Sequence, residues 1–458
     1  MYAEVTGEQY VLTTKVGLVQ LGCAKNQVDG EEMLGALAGF GPADSVRFVA
    51  DKSDADVLIV NTCGFIGPAK EESINAILDA VRRKERGQVS KVIVTGCLAQ
   101  RYSAELAKEI PEVDAFLGIE SAPAVGNVVF GARLASANQP LNLVEQVADK
   151  YPLVPRARLR ATATPWTAYL KISEGCDHAC TFCAIPGIRG RHRSKSIERL
   201  VEEAAQLAAS GAKELNLVAQ DTTAYGMDLY GRLALPELLR ALAGVEGIAW
   251  IRLLYCYPTM VRQPLIDALR ELPTVIPYID MPLQHGDDAM LKAMKRGGSV
   301  EQYKRLFGKM RDALPELALR TTFLVGFPGE TDGQFDRLVD FVQEMRFDRV
   351  GVFTYSSEED TPAFTLPNPV PTKIMRARRD ALMAAQQPLS LAANAAWVGR
   401  SLDVLVESRR GADAVGRSFR DAPEIDGLVT LTGCDAAPGT FVRARVTGAQ
   451  AYDLTAYA

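Results

Sequence analysis

No apolar run in this chain is long enough to cross a bilayer; the longest are strand-length and broken by charges, which excludes a membrane span. Residues Met1 to Lys15 carry acids and polar side chains and lack the apolar core of a secretory signal, so a cytoplasmic protein is expected. There is no strong excess of either charge. The 51 basic and 56 acidic residues leave a net charge of −5, so nothing draws the whole chain toward nucleic acid, although a local basic groove stays compatible with it. Histidine is scarce, at three residues, and forms no recognisable triad with serine or cysteine. Cysteine is also sparse, at eight residues. In a reducing cytosol such thiols serve metal ligation or catalysis rather than disulfides. What the chain has in quantity is apolar residues, 48% of 458, enough for a large core spread over about three domains of ~150 residues.

Six of the cysteines fall into two sets of three. Cys176, Cys180 and Cys183 lie in the run Glu-Gly-Cys-Asp-His-Ala-Cys-Thr-Phe-Cys, whereas Cys23, Cys63 and Cys97 are dispersed. A four-iron cubane that only carries electrons is usually held by four thiolates; three ligands leave one iron open for chemistry.

The dispersed set follows three apolar runs. Val16–Leu21 precedes Cys23, Val57–Val60 precedes Cys63, and Val92–Val94 precedes Cys97, with a helical pattern after each. Strand-length runs alternating with helices predict a parallel sheet. Loops after parallel strands gather on one sheet edge, where ligands bind. Cysteines distant in sequence therefore meet there, and Gly22, Gly64 and Gly96 let backbone come close to a bulky group. The competing reading is three buried structural thiols.

The compact set follows a first strand, Thr167–Ile172, and precedes a basic segment read as irregular, then a helix over Ile197–Ala209. Zinc would lack a fourth ligand here unless His178 or His192 served. Further strands are predicted at Glu214–Val218, Ala249–Leu254, Tyr278–Met281, Arg320–Val325 and Arg349–Phe353. Six parallel strands with helices between them would curl into a partial barrel with its functional loops at the strand C-termini. Arg189, Arg191, Arg193 and Lys195 read by default as a solvated, salt-bridged loop, with carboxylate binding as the alternative. Cys256 and Cys434 read as buried or incidental thiols.

Pro367, Pro369 and Pro371 end the pattern, and a helix is expected from about Thr372 to Val398. Short β-like runs at Leu402–Glu407, Gly427–Thr430 and Thr440–Thr447 predict a small barrel. From Gly399 onward seven Arg and no Lys face eight acids, a net of −1. Its few aromatics are scattered, which fits a basic protein substrate better than RNA. Between the first two domains, Tyr151–Pro165 holds three prolines and three arginines and reads as an extended, solvated linker.

The Cys-x3-Cys-x2-Cys run with Phe182 before its last cysteine resembles the radical S-adenosylmethionine (SAM) superfamily. Together with Leu-Gly-Cys-Ala-Lys-Asn, Asn-Thr-Cys-Gly-Phe and Thr-Gly-Cys-Leu-Ala-Gln, it makes nearly the whole chain similar to the radical SAM methylthiotransferases. The resemblance implies an α/β architecture. It has an N-terminal parallel α/β sheet domain (14–135), a linker (136–165), a central partial (β/α)6 radical SAM barrel (166–398) and a small C-terminal TRAM β-barrel (399–458). It implies two 4Fe-4S clusters, on Cys176, Cys180 and Cys183 and on Cys23, Cys63 and Cys97. The first would bind and cleave SAM to make a deoxyadenosyl radical. The second would present sulfur, and a second SAM would supply methyl. A low-potential electron donor and a sulfur donor are implied as partners.

The runs Val218-Ala-Gln-Asp-Thr222, Tyr278-Ile-Asp-Met-Pro-Leu-Gln-His285 and Ile185-Pro-Gly-Ile-Arg-Gly190 resemble the branch that modifies a protein. The transfer-RNA branch tends to carry Gly-Gln-Asn and Gln-Ser-Gly at the first two places. The implied substrate is the β-carbon of an aspartate in small-subunit ribosomal protein twelve. A modified adenosine of transfer RNA is the alternative, and a non-enzymatic iron–sulfur electron carrier a third reading. By the same resemblance Gln220 and Asp221 contact the SAM amino group, against simple loop capping. Phe182 packs beside the adenine, against an ordinary core role. Gly326 and Gly329 let backbone meet the adenine, against a turn role.

Overall fold

The computed structural model describes residues 13–40, 45–50, 52–121, 124–131, 139–147, 157–160, 162 and 164–458. Of the expected linker, 136–138, 148–156, 161 and 163 lie outside the described residues. The chain divides into two compact units. The first is Met1–Asp149 with Val154–Ala161 and Gly187–Arg189; the second is Lys150–Leu153, Thr162–Pro186 and Gly190–Ala458.

The first unit is built on six strands, β1 (Thr14–Gln20), β2 (Val46–Val49), β3 (Val57–Thr62), β4 (Lys91–Gly96), β5 (Ala115–Leu117) and β6 (Leu141–Leu143). They form one sheet in the order β2-β1-β3-β4-β5-β6, and every pairing is parallel. Successive side chains point to opposite faces. Leu58, Val60, Val92 and Val94 therefore pack with Ile77, Leu98 and their neighbours on one side. Val57, Ile59 and Ile93 pack with Met33, Leu37 and Val125 on the other. A sheet buried on both faces is why β3 is buried throughout and opens on the apolar run Val57–Val60.

The second unit opens with β7 (Thr167–Lys171) and a short antiparallel pair, β8 (Ser173–Glu174) and β9 (Arg193–Ser194). It continues with β10 (Glu214–Val218), β11 (Trp250–Leu253), β12 (Val275–Asp280), β13 (Ala318–Val325) and β14 (Arg349–Thr354). These make a six-stranded sheet in the order β14-β13-β12-β11-β10-β7, all parallel. This is the expected partial (β/α)6 barrel. Leu215, Leu217, Ile251, Leu253 and Ile279 face the helices and form the core. The alternate residues, Glu214, Asn216, Arg252, Tyr278 and Asp280, are equally buried but polar.

The C-terminal strands β15 (Ser401–Arg410), β16 (Asp413–Ser418), β17 (Val429–Thr432), β18 (Phe441–Ala449) and β19 (Leu454–Tyr457) close a barrel in the order β15-β16-β17-β19-β18. The helix leading into it is Thr372–Ala395. Residues of the β16–β17 segment satisfy the polar alternate residues of the (β/α)6 sheet. Arg417 Nη2 lies 2.6 Å from Glu214 Oε2, and Arg252 Nη2 3.0 Å from Glu214 Oε1. Asp421 pairs with Arg349 at 2.9 Å, and Tyr278 Oη donates to Asp426 at 2.6 Å. A buried charge is tolerated only when it is paired in this way.

The segment between the compact cysteines and β9 is not irregular. Ile185–Arg189 is a short helix, with Pro186 in its first turn and Gly190 at φ 72° after it. Nor is its basic cluster solvated: Arg189, Arg193 and Lys195 are buried, and only Arg191 is exposed. Lys195 is held by Glu203 at 2.8 Å and Arg189 by Asp29 at 2.8 Å. Acidic partners make the burial possible, and local sequence does not reveal them.

Candidate functional site

In the first unit all three dispersed cysteines stand where a strand hands over to a helix. Cys23 is the N-cap of the helix Ala24–Ala38, Cys63 follows β3, and Cys97 opens the helix Cys97–Glu109. Backbone-directed side chains tie the three strand ends together. Asn26 Nδ2 donates to Leu21 O at 2.8 Å and Thr62 O at 3.1 Å. Asn61 Nδ2 donates to Asn26 O at 2.8 Å, and Thr62 Oγ1 to Thr95 O at 2.5 Å. Ser73 Oγ accepts from Cys63 N at 2.9 Å and donates to Cys63 O at 3.0 Å.

Close approach explains all three flanking glycines; a Cβ at Gly64 would stand 2.8 Å from Cys97 O. A Cβ at Gly22 would stand 3.0 Å from Cys63 Cβ, and one at Gly96, where φ is +92°, 2.4 Å from Thr62 O. The thiols feel one another: the Cys23 and Cys63 charges both oppose ionisation of Cys97. Burial, above all, pushes Cys97 up to about 12. Burial also raises Cys63. It works against the Cys23 thiolate too, but Lys25, Arg189 and the helix-start amides of Asn26 and Lys25 together carry Cys23 below its ordinary value.

In the second unit Cys176, Cys180 and Cys183 lie on the loop after β8. Cys176 N donates to Gly190 O at 3.1 Å and Cys183 N to Cys180 O at 3.2 Å. Burial pushes Cys176 up to about 12, helped by the charges of Asp221 and the other two thiols. Arg296 Nη1 donates to Cys180 Sγ at 3.7 Å. Its guanidinium lies over the Tyr257 ring, 3.8 Å from the centroid. The His178 ring stacks on Tyr257 at 3.7 Å and 10°.

Gln220 and Asp221 follow β10. Both Asp221 oxygens have partners: Oδ1 accepts from Thr223 N and Oγ1 at 2.9 and 2.6 Å, and Oδ2 faces His178 Nε2 at 2.6 Å. Gln220 Nε2 donates to Glu174 at 2.7 Å, whereas its Oε1 is buried without a hydrogen-bond partner. Phe182 packs on Met290, Met294, Leu324, Phe327 and Ala363. Gly326 and Gly329 follow β13 at φ +79° and +83°. The Gly326 N–H is bound by Glu330, which Arg378 holds at 3.2 Å. Cys256 and Cys434 are buried in the helix-facing core and the C-terminal barrel core.

Among the described residues no three His, Cys, Asp or Glu side chains gather closely enough to hold a single metal ion. A cubane, with one thiolate on each of several irons, spreads its ligands more widely than one ion does.

The Radical SAM superfamily matches residues 170–342, Uncharacterized protein family UPF0004 residues 15–118, and the TRAM domain residues 398–458. A protein of Heliobacterium modesticaldum named ribosomal protein uS12 methylthiotransferase RimO is 46% identical over 450 residues, covering 97% of this chain and 95% of its own. One of the same name from Anaeromyxobacter sp. strain K is 48% identical over 447 residues, covering 97% and 93%. The chain belongs to the RimO family of radical SAM methylthiotransferases.

Two solved structures share the fold with this methylthiotransferase. The radical SAM methyltransferase TsrM of Kitasatospora setae superposes with a TM-score of 0.56 at 15% identity, covering 77% of each chain. The cobalamin-dependent SAM radical enzyme OxsB gives 0.52 at 13%, covering 83% of this chain and 56% of its own. Family membership brings an iron–sulfur cluster and SAM to the enzyme. Sequence reasoning missed several residues that surround the two cysteine sets. Asn26 and Asn61 lie inside the cysteine motifs, so proximity to Cys23 and Cys63 was a usable signal. Ser73, Tyr257, Arg296 and Glu330 carry none, because only packing brings them in.

Proposed function

We propose that this enzyme adds a methylthio group to the β-carbon of an aspartate in small-subunit ribosomal protein uS12, using SAM and two 4Fe-4S clusters. Full-length similarity to relatives carrying that name is the observation behind the reading.

Cys176, Cys180 and Cys183 would hold one cluster, and Cys23, Cys63 and Cys97 the other. Convergence of the thiols, glycines where a Cβ would collide, and guanidinium donors at Cys97 and Cys180 suit such ligands. When bound, the clusters and SAM supply the C–H-cleaving radical, the sulfur and the methyl group. The protein's own part is binding, orientation and exclusion of water. Thiols must lose their protons to bind iron, so loading Cys97 and Cys176, both raised by burial, releases protons. Gln220 Oε1 is a buried acceptor in need of a donor, which suits the SAM ammonium. Asp221 shapes the loop that presents it. Phe182 offers an apolar face to the adenine, and the positive φ of Gly326 and Gly329 lets backbone approach it. The balance of the reaction calls for a low-potential electron donor and a sulfur donor. The near-neutral C-terminal barrel suits a basic protein partner.

Anaerobic reconstitution should yield about eight irons per chain, two cubanes' worth. The loaded enzyme with SAM, reductant and a sulfur source should add one methylthio mass increment to uS12, localised to an aspartate by fragmentation. Modification of transfer RNA with uS12 left unchanged would refute the reading.

A further inference from the structure

Arg189 is 1% exposed, although local sequence marks it as a surface residue. Its Nη2 donates to Cys97 Sγ at 3.2 Å, to Asp29 Oδ2 at 2.8 Å and to Asn26 Oδ1 at 3.4 Å. Asp29 is itself buried at 6%. Asp29 offsets part of the guanidinium charge, so the sulfur receives a directed N–H together with the remaining positive charge. Asn26 also fixes the backbone of two of the strand ends. The guanidinium is thus locked to the same scaffold as the thiols.

Hydrogen bonds to the sulfurs are one of the main determinants of an iron–sulfur potential. A reduced cluster carries one more negative charge, so an N–H aimed at a ligand sulfur stabilises the reduced form more than the oxidised one. The effect is strong where water is excluded. We infer that Arg189 is a positioning residue for the dispersed site, orienting Cys97 and raising the reduction potential of the group held there. This rests on the reading that Cys23, Cys63 and Cys97 hold a cluster.

The test uses the full chain with Cys176, Cys180 and Cys183 replaced by alanine, so that only the dispersed site loads. Its cluster is titrated electrochemically under electron paramagnetic resonance. R189K and the double variant D29N/R189M follow; the double variant removes the buried pair together and strands no carboxylate. About four irons per chain are expected to remain in each. In the double variant the reduced-to-oxidised ratio at fixed potential should fall about tenfold, or about 59 mV for one electron. R189K, which keeps the charge but not the fork, should fall between. An unchanged potential in an intact cluster would overturn the inference. So would loss of iron in the double variant with R189K unshifted, since Arg189 would then only support the fold. A parent chain that takes up no iron would instead overturn the two-cluster reading, and the inference with it.

Discussion

Replacing Glu214 with glutamine should destabilise the second unit severely while leaving its shape intact. Glu214 is fully buried and accepts from two arginines. Arg252 reaches Oε1 through Nε and Nη2, both at 3.0 Å, and Arg417 reaches Oε2 at 2.6 Å. Burial opposes its ionisation, but Arg417 and Arg252 prevail and hold it at about 2 against an ordinary 4.5. At 1.36 kcal/mol per pKa unit that is roughly 3 kcal/mol, the lower end of the ~3–5 kcal/mol for breaking a buried pair on one side. A neutral amide leaves the buried Arg252 guanidinium without its carboxylate and Arg417 with Glu407 alone, and turns an N–H2 toward donors. The depressed folded pKa also sets a pH window. The contribution is whole above pH 4.5 and is lost as pH falls toward about 2. All three tryptophans, Trp166, Trp250 and Trp397, belong to this unit, so their fluorescence reports its unfolding alone. Urea unfolding of wild type and E214Q at pH 7 and at stepwise lower pH should show the gap closing in acid. A loss under about 1 kcal/mol at pH 7, or a gap independent of pH, would refute the reasoning.

Replacing Cys23, Cys63 and Cys97 together by alanine should leave deoxyadenosine formation from SAM intact and abolish methylthiolation; continued methylthiolation at the normal rate would remove the division of labour between the two sets. Gly96→Ala brings a Cβ within 2.4 Å of Thr62 O at a positive φ. It should lower iron content by about half, since only the dispersed site is disturbed, as iron analysis after reconstitution would show. Gly326→Ala drives a Cβ to 2.3 Å from Met375 Cγ, also at positive φ. It should weaken SAM binding at least about tenfold by calorimetry while leaving iron content unchanged, as expected where backbone must come close to a ligand.

Much of the architecture was legible because its signals are local. Each dispersed cysteine follows a strand-length apolar run, and parallel topology alone brings those strand ends to one edge. The helix over Ile197–Ala209 was readable to the residue, and the structure shows Ser196 capping its N-terminus. The strands that escaped are short or lack a clean alternation. β5 and β6 have three residues each, and β2 has four with no fully buried position. β16 was hidden by its glycine and charged residues, and β19 has only four residues. The basic segment after Cys183 was misread because composition equates arginine with solvent. Asp29, the partner that buries Arg189, lies 160 residues away in sequence.

What the sequence by itself determined is the cysteine inventory, two sets of three with their spacing, and the strand–helix order that sorts them to strand ends and loops. Those follow from short-range periodicity and from the motif around each thiol. What only the tertiary structure decided is the fate of the charges. Glu214 and Arg417 are 203 residues apart, and Arg189 and Cys97 are 92 apart. A buried ion is stable only with its counter-ion at hydrogen-bond distance. No local pattern encodes a distance between residues so far apart, so which arginines are solvated and which reach a carboxylate or a cysteine sulfur is settled only when the chain packs.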